Sequence, residues 1–160
     1  MKIQLMALLA LMIIGLGAAC NGNTEKAGDA QNTDTAAQQA EEKAWSEMME
    51  IHDAVMPKMA DMNRISRELK PYMEEGALED KSLLEEVNLV LKHLETADEG
   101  MMDWMGELQQ LKVLRADKDH EAIMAYLEAE KEKITKVQDD MLSSMEHGNK
   151  VLEKLSATKE

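Results

Sequence analysis

The feature that most constrains the fold of this chain is a helical spacing of apolar residues along three long segments. Apolar residues that recur every three or four positions lie on one side of an α-helix. The spacing predicts three helices, at about residues 39–70, 82–115 and 119–156. Short breaks at Pro71–Gly76 and Asp117–Asp119 let the chain fold back. We expect an all-α fold, an antiparallel up-down-up three-helix bundle of long helices within residues 39–160, with one extended coiled coil as the alternative.

Local signals refine the predicted helices. Pro57 lies inside the first and removes the hydrogen bond to the Asp53 carbonyl, so we expect a bend. A Ser-x-x-Glu capping box predicts that the second begins at Ser82, and Asp117 or Asp119 can cap the third. The predicted apolar stripes are Met48, Ile51, Val55, Met62, Ile65 and Leu69, then Leu84, Val87, Leu91, Leu94, Asp98, Met101, Met105 and Leu108, then Ile123, Leu127, Glu130, Ile134, Val137, Met141, Gly148, Val151 and Leu155.

The N-terminal residues have the pattern of a lipoprotein signal peptide. The apolar run Ile3–Gly15 is too short to span a bilayer, and small residues lead to Cys20, the only cysteine. Residues 1–19 are therefore expected to be removed and Cys20 to be tri-acylated, palmitate included. Gly17 stands where lipoproteins usually have a branched apolar residue, so secretory cleavage after Ala19 is the alternative.

The segment after the cysteine indicates a tether. Residues 20–38 offer little to bury, so a flexible linker is expected. Asn21 is not the aspartate that retains enteric lipoproteins in the inner membrane, which favours the outer membrane of a Gram-negative cell envelope. With 32 acidic against 18 basic residues, nucleic acid is excluded as a partner, and membrane contact is expected through the lipid alone.

The sequence lacks the residue sets of catalytic sites. It has no serine elbow, no glycine-rich phosphate loop and no paired Glu-x-x-His segments. We therefore predict a non-enzymatic binding or structural domain, whose partner is another protein or a second copy of the chain. A chaperone-like surface rich in methionine is an alternative, because methionine adapts to varied apolar partners.

Methionine residues and one histidine indicate a second alternative, a Cu(I) site. In an antiparallel hairpin His52 lies level with Met101 and the residues just after it, which gathers soft ligands from helices one and two. Thioether sulfur with an imidazole suits Cu(I), and an aromatic ring can cover the ion. The candidate ligands are His52, Met56, Met101, Met102 and Met105, with Met48, Met49 and Trp104 nearby.

The competing interpretation needs no metal or other cofactor. The methionines are then core residues, and His52 is a buried polar residue paired with Asp98 or Glu130, which interrupt the apolar stripes. Other polar groups are expected to be solvated: His93, His120, His147 and the acidic pairs Glu41-Glu42, Glu74-Glu75, Glu85-Glu86 and Asp139-Asp140.

Two stretches resemble motifs of known proteins. Ile51–Met59 and Met101–Met105 are similar to a pair of motifs in small lipoproteins of Bacteroidetes such as flavobacteria, often labelled viral A-type inclusion protein. The similarity in layout runs from Trp45 to Leu155, and the lipoprotein cysteine is shared at Cys20. The resemblance implies an anchored, helical protein and implies no activity.

Overall fold

The computed structural model describes residues 25–74 and 77–158, with side chains from Asp34 onward. The predicted signal peptide and Cys20 lie outside the described residues. The α-helices are α1 (Glu25–Val55), α2 (Met59–Leu69), α3 (Lys81–Glu107), α4 (Leu111–Asp117) and α5 (His120–Ala157). Neither described range contains a β-strand, so the predicted all-α class is confirmed. None of these helices has an apolar stretch long enough to cross a bilayer.

The predicted interruption at Pro57 is present. A 3-10 turn at Met56–Lys58 separates α1 from α2, because proline has no N–H for the α-helical hydrogen bond. A second 3-10 turn, Lys70–Met73, contains Pro71 and follows the end of α2 at Leu69. Both prolines therefore mark changes of helix type.

The start of α1 differs from the sequence prediction. The helix begins at Glu25, inside the stretch 20–38 for which a flexible linker is predicted. Five alanines and three glutamines lie in the range Glu25–Ala40, and these residues favour helix even where little is buried. From Asp34 to Ala40 the side chains are exposed, apart from the partly buried Ala37.

The start of α3 corrects the predicted cap. The side chain of Asp80, not that of Ser82, caps the helix, and its Oδ1 accepts hydrogen bonds from the backbone N–H of Ser82 at 2.9 Å and of Leu83 at 3.2 Å. The carboxylate of Asp80, two residues before Ser82, can reach these free N–H groups. Its negative charge also interacts favourably with the positive end of the helix dipole. For α5, Asp119 is the cap and accepts from the Ala122 N–H at 2.9 Å.

The second predicted helix, 82–115, is divided in two. The chain is extended from Leu108 to Gln110, between α3 and α4. The backbone N–H of Gln109, released from the helix, donates to the Tyr126 hydroxyl of α5 at 2.8 Å. A tertiary hydrogen bond thus satisfies a donor that the helix no longer uses.

Ion pairs show how α5 runs relative to the other helices. His120 contacts Glu41 and Lys131 contacts Glu47, so α1 and α5 pair with numbers rising together. Between α3 and α5 the order is opposite: Lys154 lies 2.6 Å from Glu86, and Val137 lies beside Gly100. α5 therefore packs along both α1 and α3, in the same direction as the first and the opposite direction to the second.

The buried side of α5 follows the predicted stripe in its four-three spacing, except that the predicted Val137 is only partly buried and the unpredicted Ser144 is buried. Its buried residues are Ile123, Leu127, Glu130, Ile134, Met141, Ser144, Gly148, Val151 and Leu155. Gly148 permits a close approach to α2, since a Cβ there would lie 2.5 Å from Cγ2 of Ile65.

The buried side of α3 is rotated from the predicted stripe. It consists of Leu83, Val87, Val90, Leu94, Ala97, Met101 and Trp104. The predicted Leu84, Leu91, Asp98, Met105 and Leu108 are partly buried on the flank of this stripe. The spacing is the four-three repeat of coiled coils. Val87, Leu94 and Met101 belong to both stripes, and the other predicted positions within α3 were wrong by one residue.

Candidate functional site

The predicted methionine and histidine layer lies where α1 ends before the Pro57 turn and α3 approaches its own end. His52 occupies the last turn of α1, and Trp104 and Met105 the last turn of α3. Nε2 of His52 is 3.3 Å from Sδ of Met105. α1 and α3, which correspond to the first and second predicted helices, therefore bring an imidazole nitrogen and a thioether sulfur into direct contact.

The imidazole of His52 is held from both ring nitrogens. Nδ1 lies 2.8 Å from Oδ1 of the neighbouring Asp53, while Nε2 faces Met105. The His52 side chain is 13% exposed and that of Asp53 is 72% exposed, so the carboxylate is in water and the ring is not. Asp53 thus orients a shielded imidazole from the solvent side.

Trp104 forms the inner wall of this layer. Its ring centroid lies 5.6 Å from that of His52, with the planes tilted by 32°. The residue is 4% exposed, and its Nε1 is buried without a hydrogen-bond partner. A buried hydrogen-bond donor without an acceptor is uncommon in folded proteins, so Nε1 of Trp104 needs an explanation.

The other candidate ligands occupy three different environments. Met48 and Met101 are fully buried in the core. Met49 and Met56 are partly buried against that core. Met102 is 54% exposed, so it does not belong to the buried layer with its neighbours on α3.

The two predicted polar partners of His52 are elsewhere. Glu130 is buried, but its carboxylate pairs with Lys133 of the same helix at 2.8 Å, and Oε2 has no partner. Asp98 lines a cavity with Met62 and Lys70. The predicted pairing of His52 with either carboxylate is wrong, because the adjacent Asp53 reaches its ring first.

The charged cluster around Glu41 was not foreseen. Glu41 is 3% exposed, contrary to its predicted solvation, and its Oε2 accepts from Arg115 Nε at 2.7 Å. Its Oε1 lies 2.9 Å from Nδ1 of His120, which was also expected to be solvated. The available signal is a seven-residue spacing, since Glu41 stands one heptad before Met48.

The pKa of Glu41 reflects these partners. Burial alone would raise the pKa of its carboxyl, but the hydrogen bonds and charges of Arg115 and His120 outweigh burial and lower the pKa below its usual value. The hydrogen bond to Glu41 raises the pKa of Arg115 despite its partial burial. The cluster is therefore a stabilised ion pair that joins α1 to α4 and α5.

A second ion pair joins α3 to α5. Lys154, with a smaller contribution from His147, lowers the pKa of Glu86 against the effect of burial. The rings of His147 and His93 are 6.5 Å apart at the edge of a half-open cavity of about 430 Å³. The predicted solvation holds for His93, which is exposed, but His147 is partly buried and engaged with Glu86.

Within residues 25–74 and 77–158, no three or more histidine, cysteine, aspartate or glutamate side chains are grouped so that they could hold a metal ion. No family model, curated protein or solved structure matches the chain.

Proposed function

We propose that the chain is a lipoprotein of the cell envelope, anchored through Cys20, whose helical domain acts by binding and not by catalysis. The observation that carries the anchor is the apolar leader that ends at the only cysteine. The outer membrane of a Gram-negative bacterium is the proposed location, and the lipid is the only membrane contact.

The proposed architecture is an up-down-up three-helix bundle. α1 and α2 form the first leg, α3 and α4 the second, and α5 the third. The ion pairs between helices support this arrangement. They show that α5 runs in the same direction as α1 and in the opposite direction to α3. In this arrangement α1 and α3 are antiparallel, and the contact of His52 with Met105 joins them.

The helical start of α1 supports a spacer between the anchor and the bundle. Glu41 is the first buried side chain of the described part. Sixteen helical residues, from Glu25 to Ala40, precede it and would span about 24 Å at 1.5 Å per residue. We propose that this segment, with the residues after Cys20, holds the bundle away from the membrane.

Ion pairs between helices support a binding or structural role. Glu41, Glu47 and Glu86 each bond a basic group on another helix, which uses their charge to hold helices together. The chaperone-like alternative has less support, because Met101 is buried and Met56, Met59 and Met105 are partly buried. A protein partner or a second copy of the chain would instead meet the outer faces of the helices.

Intact mass spectrometry of the protein isolated from membranes tests the anchor. The expected mass is that of residues 20–160 with three acyl chains on Cys20. Cys20→Ser should release the protein from the detergent phase while its circular dichroism stays helical. An unmodified thiol at the mature start, or an unprocessed leader, would overturn the anchor.

A further inference from the structure

We propose that His52 and Met105 bind one Cu(I) ion between α1 and α3, with Trp104 beside it. The inference deepens the proposed binding role of the helical domain and rests on that role, but it does not depend on the lipid anchor. It names three residues out of the larger set that the sequence indicates, because the structure brings only these three together.

The first argument is the arrangement of atoms around the His52 ring. Nδ1 lies 2.8 Å from Oδ1 of Asp53, whose carboxylate accepts hydrogen bonds. When Nδ1 donates to it, Nε2 is the remaining ring nitrogen, and it lies 3.3 Å from Sδ of Met105. In that tautomer, Nε2 and Sδ lie on different helices and each has a lone pair available to a cation.

The second argument is that the contact matches the arrangement of a ligated histidine. Metal-binding histidines commonly donate their other ring N–H to a carboxylate, which fixes the ring and increases its basicity. Asp53 supplies that carboxylate here. Asp53 is therefore a positioning residue, and Nε2 is the ligand atom.

The third argument is distance. For a d10 ion, metal–nitrogen and metal–sulfur lengths of about 2.0 and 2.3 Å separate two ligand atoms by about 3.5 Å at a tetrahedral angle. The Nε2 to Sδ distance is 3.3 Å. An ion could enter with a side-chain movement of a few tenths of an ångström, on the order of that difference.

The fourth argument concerns which ion the site would select. Thioether sulfur favours soft ions such as Cu(I), whereas carboxylate and carbonyl oxygens favour hard ones. The face of Trp104 near His52 adds attraction for a cation in a shielded layer. A third ligand would have to come from Met56 or Met101, which lie one helical turn from His52 and Met105, respectively.

Competition titration tests the site. The mature protein, purified in detergent, is treated with an alkylating agent so that no free thiol competes, and is titrated anaerobically with Cu(I) against bicinchoninate. We expect one ion per chain. Met105→Leu should weaken Cu(I) binding by at least about tenfold, and Asp53→Asn by about tenfold.

Met102→Leu is the matched control, because this methionine lies on the same helix but is exposed. Its Cu(I) affinity should stay within about twofold of the wild-type value, whereas uniform loss would indicate non-specific binding. Equal affinities for the wild-type protein and Met105→Leu, or no competition with the chelator, would overturn the proposal. Circular dichroism of each variant verifies that it is folded.

A spectroscopic measurement locates the ion. With methyl-labelled methionine and Ag(I) as a redox-inert substitute, the Met105 methyl and the Trp104 indole N–H signals should shift, and Met102 should not. A shift of Met102 without Met105 would contradict the assignment. Absence of binding in a protein whose mass shows three acyl chains would remove the metal inference and leave the anchored bundle intact.

Discussion

The clusters around Glu41 and His52 both place polar groups between helices, but they differ in how fully those groups are paired. At Glu41 both carboxylate oxygens are bonded, one to Arg115 and one to His120. In the layer at His52, among the residues that the structure describes, Nε2 of the ring meets only a thioether, Sδ of Met105 at 3.3 Å, and the buried Nε1 of Trp104 has no hydrogen-bond partner.

This difference separates a structural role from a binding role. A buried carboxylate with two basic partners stabilises one arrangement of its helices, and removing the carboxylate takes away the charge that compensates both partners. A layer in which polar atoms are weakly paired, as at His52, contributes less to stability and can accept a bound ion. The predictions below measure how large this contrast is.

The largest expected effect is at Glu41. Glu41→Ala removes the buried partner of Arg115, which keeps a longer contact with Glu42 at 3.4 Å. The change should lower the free energy of unfolding by about 3 kcal/mol, the lower end for a broken buried pair because Arg115 is 30% exposed. Urea unfolding measures the change. Glu42→Ala, at an exposed neighbour, is the control and should change it by less than about 0.5 kcal/mol. Similar losses in both variants would contradict the structural role.

Gly148, where α5 packs closely against Ile65 of α2, provides an apolar comparison for these polar clusters. Gly148→Ala should destabilise the protein by about 1–3 kcal/mol, because the added methyl group meets Ile65 at 2.5 Å. Gly106→Ala meets nothing within 4 Å and should stabilise α3 by about 0.5 kcal/mol. The melting temperature should therefore fall for Gly148→Ala and rise for Gly106→Ala. A rise for both variants would contradict the close contact between Gly148 and Ile65.

Acid should remove part of the Glu41 contribution. Because its pKa is lower in the folded protein than its usual 4.5, the stabilisation is complete above that value and is lost as pH falls through the folded pKa. The difference in unfolding free energy between wild type and Glu41→Gln should narrow below about pH 4.5. Urea unfolding at a series of pH values measures it, and a constant difference down to pH 2 would be the contrary result.

The smallest expected effect is in the layer at His52. Met105→Leu preserves volume and should change the unfolding free energy of the metal-free protein by less than about 1.5 kcal/mol. Urea unfolding compares it with Met102→Leu, which should change it by less than about 0.5 kcal/mol at an exposed site. A loss at Met105 as large as that at Glu41 would mean that the His52 contact is itself structural.

The sequence predicts some elements well for a clear physical reason. On α5 the buried strip is apolar along nearly the whole helix, whereas the neighbouring strip is apolar only at Met124, Leu142, Met145 and Leu152, so the periodicity identifies the buried side. On α3 two neighbouring strips are apolar, with Leu83 beside Leu84 and Val90 beside Leu91. Spacing cannot choose between them; packing against α5 does.

Other features depend on tertiary contacts that no local pattern contains. The break before α4 has neither proline nor glycine at Leu108–Gln110, and its free backbone donor is satisfied by Tyr126 from another helix. At the candidate site, the sequence predicted that His52 meets the methionines of α3. It could not show that Met102 is exposed while Met105 reaches the ring, because that depends on the rotation of α3.

Unfolding in the presence of a soft ion tests the central contrast most directly. The melting temperature of the wild-type protein, Glu41→Ala and Met105→Leu would be measured with and without one equivalent of Ag(I). Since a ligand stabilises only the folded state that binds it, the ion should raise the melting temperature of the wild type and Glu41→Ala, and raise that of Met105→Leu by a smaller amount. An equal rise in all three proteins, or none in the wild type, would contradict the account.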